Sequence, residues 1–267
     1  MRWLGCVALL ACMSVQAQEP LAPAPFITTP DEVVLRMLEL AGTRPADLVM
    51  DLGSGDGRIV IAAAQKFGAR GVGIELDGAL VEQSRQRARL AGLADRVSFV
   101  QGDVLAADLS AATVVTVYLL PGLINQLQPR FLAQLRPGTR IVSHAFRMTG
   151  WAPDRAETLQ LAAPHPGQGD QSTLLLWVVP AEARGLWKGP GSELRIHQNF
   201  QQVEIEGRLA GRTLQAPRAS LQGHSIAFED GAARFRGRVQ GDHLMGELSL
   251  PDRREPLMLT RARPARR

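Results

Sequence analysis

One short stretch constrains the fold of this chain more than any other. The apolar run Leu48-Val49-Met50 leads into Asp51-Leu52-Gly53-Ser54-Gly55-Asp56-Gly57, and an Ala-rich amphipathic run, Ile59 to Phe67, follows at once. Glycines there permit a tight strand-to-helix turn and leave backbone bare for a ligand to lie against. The same grammar then repeats. Gly71 to Glu75 reads as a strand. Asp77 caps a helix running to about Leu90. Val97 to Val100 and Thr113 to Tyr118 read as strands, a helix spans about Leu123 to Leu135, and Arg140 to His144 is a fifth strand. Strands alternating with helices predict a mainly parallel sheet covered on both faces. Residues 157–162 and 172–179 read as two last strands that close the sheet as an antiparallel hairpin.

Ahead of this unit, Thr29-Pro30-Asp31-Glu32 reads as a helix start. Thr29 is the expected cap, and Val34, Met37, Leu38 and Ala41 form the buried stripe. Beyond about residue 183 helical periodicity ends. Alternating runs such as Val203-Glu204-Ile205 are punctuated by glycines, and Asp230-Gly231 and Gly241-Asp242 are hairpin signals. The prediction is an antiparallel meander of six to eight short strands, a small curved sheet or half-barrel.

The expected fold class is therefore α/β, a Rossmann-like seven-strand sheet followed by a small antiparallel all-β domain. Its parts are an export signal at 1–17, a linker at 18–28, the α/β domain at 29–182, the β domain at 183–263 and a basic tail at 264–267. The signal rests on Arg2, the apolar stretch Trp3 to Val15 and the small residues around Ala17. It predicts an exported, periplasmic protein. Leu9-Leu10-Ala11-Cys12 is a loose alternative, with Cys12 as a lipid anchor at the membrane. Both cysteines, Cys6 and Cys12, lie in this segment, so a chain cleaved after Ala17 has neither a thiol nucleophile nor a thiolate metal site. No metal site is predicted. The arginines at 253, 254, 261, 263, 266 and 267 could touch nucleic acid or anionic lipid; a solvated, frayed tail is the plainer reading.

In an open parallel sheet, ligands bind at the carboxyl ends of the strands where strand order switches. Arg58 stands where a dinucleotide fingerprint would carry its third glycine, which counts against a nicotinamide cofactor. Asp51, just ahead of the first glycine, suits a ligand bearing an ammonium group. Glu75 ends the second strand, where an acid can accept both ribose hydroxyls. Asp103, after the third strand, can accept from an adenine amine, with Val104 offering its N–H to the ring. Each acid alone could be a cap or turn former; together they point to S-adenosylmethionine (SAM).

Residues 44–180 resemble the class I SAM-dependent methyltransferases. Within them the chain looks like the protein-lysine methyltransferases related to the mitochondrial enzyme that modifies the c-ring protein of ATP synthase. That likeness rests on Asp51 to Val60, on Val114-Val115-Thr116-Val117-Tyr118-Leu119-Leu120-Pro121, on Arg140 to Phe146 and on Trp151-Ala152-Pro153-Asp154. Pro25 to Pro30 resembles the family's entry segment, which would fold over the cofactor. The cofactor set expected is thus Thr28, Asp51, Gly53, Ser54, Gly55, Asp56, Gly57, Glu75, Leu76, Asp103, Val104 and Tyr118. The resemblance implies methyl transfer to a protein lysine or a small-molecule acceptor. Tyr118 and His144 are the candidate catalytic residues, although packing alone would also explain Tyr118, and a structural role His144. Trp151 and Asp154 share that ambiguity. Tyr118-Leu119-Leu120-Pro121 replaces the Asp/Asn-Pro-Pro-Tyr of amino-methylating nucleic-acid enzymes, so no nucleic-acid partner is expected. An exported SAM- or nucleoside-binding module without turnover is the alternative.

Overall fold

The computed structural model describes residues 27–166, 168–215 and 217–262. The export segment, Cys12, most of the linker and residues 263–267 lie outside the described residues. Helix α1 (Asp31–Leu40) precedes β1 (Leu48–Leu52), α2 (Arg58–Phe67), β2 (Arg70–Glu75), α3 (Gly78–Leu90), β3 (Val97–Gln101), β4 (Val114–Val117), α4 (Pro121–Gln134), β5 (Arg140–His144), β6 (Arg155–His165) and β7 (Gly169–Val178). These strands form one sheet of order β3-β2-β1-β4-β5-β7-β6. Strands β1 to β5 pair in parallel, whereas β7 runs antiparallel to both β5 and β6. The order reverses between β1 and β4, so the crevice at their carboxyl ends is the place for a ligand.

Alternation along the strands divides the core between two faces. Met50, Val115, Ile141 and Trp177 point to α4, where Ile124, Leu127 and Phe131 are completely buried. Their neighbours Val49, Val114, Val142 and Leu176 point to α1 and α2 and pack with Met37, Leu38 and Ala63. Helix α4 begins two residues earlier than predicted, because Pro121 takes the first helical turn, where its missing N–H costs nothing. The capping box expected at α1 does not form. Pro30 is the cap residue and no side chain caps the helix. The Thr29 hydroxyl turns to His144 instead, and Glu32 accepts from Ala162 N on β6. Tertiary partners have taken both side chains.

The second sheet has nine strands rather than six to eight. They are β8 (Gly185–Gly189), β9 (Ser192–Asn199), β10 (Gln202–Leu209), β11 (Arg212–Thr213), β12 (Arg218–Gln222), β13 (Ser225–Asp230), β14 (Ala233–Gln240), β15 (His243–Ser249) and β16 (Arg254–Arg261). The order is β11-β10-β9-β8-β16-β15-β14-β13-β12. Two meanders thus meet where β16 pairs with β8, and β12 packs against β10, so the sheet rolls around a single core. The count exceeds the sequence estimate partly because β11 is a two-residue strand with both side chains exposed. Both predicted hairpin turns are present, at Gly231 between paired Asp230 and Ala233 and at Gly241 between paired Gln240 and His243.

The sheets are joined around Trp151. Its indole lies flat on Phe200, 5.1 Å away at 5°, and its Nε1 donates to Gln201 Oε1 at 2.9 Å. Gln201 Nε2 donates back to Ala152 O. The Trp151 carbonyl accepts from Trp177 Nε1, and Asp154 accepts from Val178 N. These two residues of the Trp151–Asp154 segment hold the structure together and do not line the cavity described next.

Candidate functional site

A cavity of about 470 Å³ opens at the switch between β1 and β4, within the size range of small-molecule sites. Its floor is the glycine turn. Gly53, Gly55 and Gly57 all have positive φ, at 77°, 52° and 79°. Of the predicted set, Thr28, Asp51, Gly53, Ser54, Gly55, Asp56, Glu75, Leu76, Asp103, Val104 and Tyr118 line this cavity.

Gly57 does not line it. A Cβ there would sit 2.7 Å from the Phe99 ring and 2.9 Å from Ser84 Cβ, so this glycine serves the packing of the turn on β3 and α3. Gly57→Ala combines left-handed strain with a clash in a packed core. The expected cost is about 2–4 kcal/mol, read as a lower midpoint in urea unfolding. A midpoint equal to that of the parent would refute this.

Asp51 is 2% exposed. Its register partner across the sheet is Thr116, whose hydroxyl donates to Asp51 Oδ1 at 2.7 Å. Burial pushes the Asp51 carboxyl up to about 7; the Thr116 hydrogen bond opposes this, and the nearby Glu75 and Asp56 carboxylates add to it. Such a group favours a cation placed beside it. Glu75 is held differently. Its Oε2 accepts from Gly55 N at 2.9 Å and its Oε1 from Asp77 N at 3.0 Å. Each oxygen keeps a lone pair for a further donor. Glu75→Ala removes both backbone anchors and the free acceptors, so SAM affinity is expected to fall at least a hundredfold by calorimetry; a drop below threefold would overturn that role.

Asp103 Oδ1 accepts from Leu105 N and so shapes its own turn. Leu76, 65% exposed, and Leu80 on α3 provide apolar wall beside it. Sequence reading missed Leu80, yet a signal exists. The buried stripe of α3 is Val81, Ser84 and Ala88, and Leu80 is an apolar residue off that stripe.

Asp56 lines the cavity, but its carboxylate is already engaged. Arg58 grips it with Nε and Nη2 at 2.9 and 2.7 Å, and Arg87 Nη1 lies at 2.5 Å. Burial raises its pKa, and the two guanidiniums outweigh burial, leaving it below the usual carboxylate range. The same Arg58 donates to Thr29 O at 2.8 Å. Together with His165 Nε2, which donates to Thr28 O at 2.9 Å, it pins the entry segment, whose Ile27, Thr28 and Thr29 form one wall of the cavity. Neither Arg58 nor His165 was read from the sequence as a site residue. Their signal is spatial: they come from α2 and β6 to meet one strap.

Tyr118 follows β4 directly and lines the cavity. Gln168 Nε2 donates to its hydroxyl at 2.7 Å, and burial raises its pKa. His144 stands behind it, 4.2 Å ring to ring, and does not line the cavity. It is completely buried, with Nε2 3.0 Å from Ser172 Oγ and Nδ1 3.4 Å from Thr29 Oγ1. Burial, then the neighbouring His165, lowers its pKa to about 4. The structure buries this histidine among Tyr118, His165, Ser172 and Thr29 and leaves it out of the cavity lining, which favours the structural of its two readings. His144 stays neutral across pH 5–9, so His144→Asn is expected to leave the shape of the pH–rate profile unchanged while lowering stability. A titration step lost in that variant would restore His144 as a base.

The residues present fit SAM. Glu75 and Asp103 would accept from its ribose and adenine, Leu76, Leu80 and Val104 would flank the ring, and Asp51 would face its cationic end over the bare backbone of Gly53 and Gly55. When bound, SAM supplies the methyl group. A doubly wound sheet whose switch-point cavity fits SAM is the arrangement of the class I SAM-dependent methyltransferases. The chain belongs to the methyltransferase family described by the ANTKMT methyltransferase domain, whose model matches residues 51–155.

A protein-lysine N-methyltransferase of Saccharolobus islandicus is 42% identical over 130 residues, covering 48% of this chain and 81% of that one. The adenine nucleotide translocase lysine N-methyltransferase of Mus musculus is 36% identical over 129 residues, covering 48% of this chain and 56% of that enzyme. Among solved structures, an RNA methyltransferase of Salinibacter ruber in complex with S-adenosyl-L-homocysteine is 52% identical, covers 58% of this chain and 95% of that one, and superposes with a TM-score of 0.54. The nine-stranded sheet lies outside the family match.

Proposed function

We propose that this methyltransferase N-methylates a lysine of a protein acceptor. One observation carries the reading. A relative that is 42% identical over 130 residues, 81% of its own length, is named a protein-lysine N-methyltransferase, and the murine relative is likewise named a lysine N-methyltransferase. The cavity acids Asp51, Glu75 and Asp103 are placed for SAM itself and do not choose the acceptor.

The reaction is a displacement: the neutral amine attacks the methyl carbon, the carbon–sulfur bond breaks, S-adenosylhomocysteine leaves and the amine's proton passes to water. The chain's own contribution is alignment and exclusion of water. The strap from Ile27 to Thr29 and Tyr118 wall the cavity. No side-chain base is assigned to the reaction.

The test is labelled-methyl transfer to bacterial extract divided into protein and RNA. Label recovered as methyl-lysine, lost after protease and kept after ribonuclease, is the expected result. Label in RNA would transfer the activity named for the Salinibacter enzyme to this chain instead, and SAM binding without label in either fraction would favour a binding module.

We propose further that the protein is exported, on the strength of Arg2, the apolar run Trp3 to Val15 and the small residues around Ala17. Methyl transfer then precedes export or draws SAM across the membrane. Residues 1–25 fused to a reporter active only outside the cytoplasm test this, and a silent reporter removes the proposal.

A further inference from the structure

The outer face of the nine-stranded sheet has a composition that the methyltransferase site does not explain. Outward residues alternate with the buried ones along β13 to β16. One cross-strand row reads Ser225, Arg238, Met245, Met258. The row beside it reads Ala227, Arg236, Glu247, Pro256, and the next Glu229, Arg234, Ser249, Arg254, extended by Arg218 on β12. Five exposed arginines thus face two glutamates. Glu229 is paired with Arg234, and Glu247 lies 3.9 Å from Arg254. Arg218, Arg236 and Arg238 have no carboxylate within 4 Å among the described residues. Met245 and Met258 stand opposite each other in this field, 37% and 56% exposed, the only large exposed hydrophobic side chains described on this sheet. Strand β16 ends at Arg261, three residues past Met258, and Arg263, Arg266 and Arg267 follow in the sequence.

We propose that this face docks the protein on an anionic lipid bilayer. Arginines without acid partners match a negatively charged headgroup layer, where each cation near the surface adds to binding. Two flexible thioether side chains among them can enter the headgroup boundary. Single-stranded nucleic acid fits less well, because its sequence-tolerant recognition uses exposed aromatic platforms, and this face has none among the described residues.

The experiment is co-sedimentation of the full chain with vesicles of phosphatidylcholine alone or with 30 mol% phosphatidylglycerol. The quantity read is the gain on adding anionic lipid, so binding that ignores lipid charge does not count. That gain is expected to be large at 50 mM salt and mostly lost at 500 mM. Arg236→Glu with Arg238→Glu should reduce it at least tenfold. Arg195→Glu with Arg208→Glu, an equal charge change on β9 and β10, should leave it within threefold. Met258→Ser should weaken it several-fold with no change in charge. All five side chains are exposed, and unchanged thermal midpoints establish that the variants fold. Equal losses in both arginine pairs, no loss in the first pair, or equal binding to both vesicle types would each overturn the proposal. Single-stranded RNA that binds more tightly than the vesicles, with the same Arg236 and Arg238 dependence, would overturn it in favour of a nucleic-acid face.

Discussion

Asp51→Asn is expected to weaken SAM binding by a hundredfold or more at pH 8 and to make the ligand-free protein more stable. Both effects have one cause. The carboxyl is buried beside Thr116 and is raised to about 7 from its ordinary value near 3.8. In the unfolded chain it ionises at that ordinary value. Between pH 4 and 7 the folded state therefore holds a proton that the unfolded state has lost, and stability falls as pH rises. Above 7 both states are ionised and the loss is complete. A gap of about three units at 1.36 kcal/mol each puts it on the order of 4 kcal/mol. Asparagine keeps an oxygen to accept from Thr116 and carries no charge, so it removes this loss. The cationic end of SAM uses the same charge, so it binds well only once Asp51 is ionised. Affinity should thus rise about tenfold per pH unit below 7 and level off above it, whereas the variant should show no such slope. Calorimetry from pH 5.5 to 8.5 and thermal melts of both proteins without ligand measure the two halves. A pH-independent parent affinity, or a variant less stable than the parent at pH 8, would overturn the account.

The parts of the fold that sequence made legible are those where local chemistry and tertiary structure agree. Asp77 caps α3 by accepting from Ala79 N, and the strand termini carrying Asp51, Glu75 and Asp103 meet at one cavity because a parallel sheet puts its carboxyl ends together. The failures share a physical form. Thr29 and Glu32 have the spacing of a capping box, but His144 and Ala162 lie within reach and claim them. Gly57 looks like its two neighbours in sequence, and Phe99 and Ser84, 42 and 27 residues on, make it a packing glycine. His144 ends a strand as a catalytic base would, yet it is fully buried against Tyr118 and does not line the cavity. Each depends on a contact distant in the chain, which periodicity and spacing do not encode. Arg58 is the instructive case. As a letter it argued against a dinucleotide. As a side chain it links Asp56 of the glycine turn to Thr29 of the strap, so the two walls of the cavity are tied by one guanidinium.

Trp151→Ala is expected to cost about 3–5 kcal/mol of stability, the range for removing a large buried aromatic, and to leave SAM affinity within twofold. The indole is 1% exposed and packs on Trp177 in the methyltransferase sheet and on Phe200 from the second sheet. Phe200 occupies the β9–β10 turn at φ 52°, a conformation that a bulky residue rarely adopts. Its flat stacking on Trp151 compensates that strain, so truncating Trp151 both opens a void and releases the turn. Gln201 loses the partner of its Oε1 at the same time. Trp151→Phe keeps a ring against Phe200 and loses the N–H, so it should cost less than half as much. The effect divides between the sheets. If the stack joins them, unfolding of the alanine variant should broaden or split into two steps, with hydrogen exchange rising first in β9 and β10, while the glycine turn stays protected by SAM. A single sharp transition with a midpoint near the parent's would show that the two sheets hold together without this contact, and a large loss of SAM affinity would return Trp151 to the site from which its burial removes it.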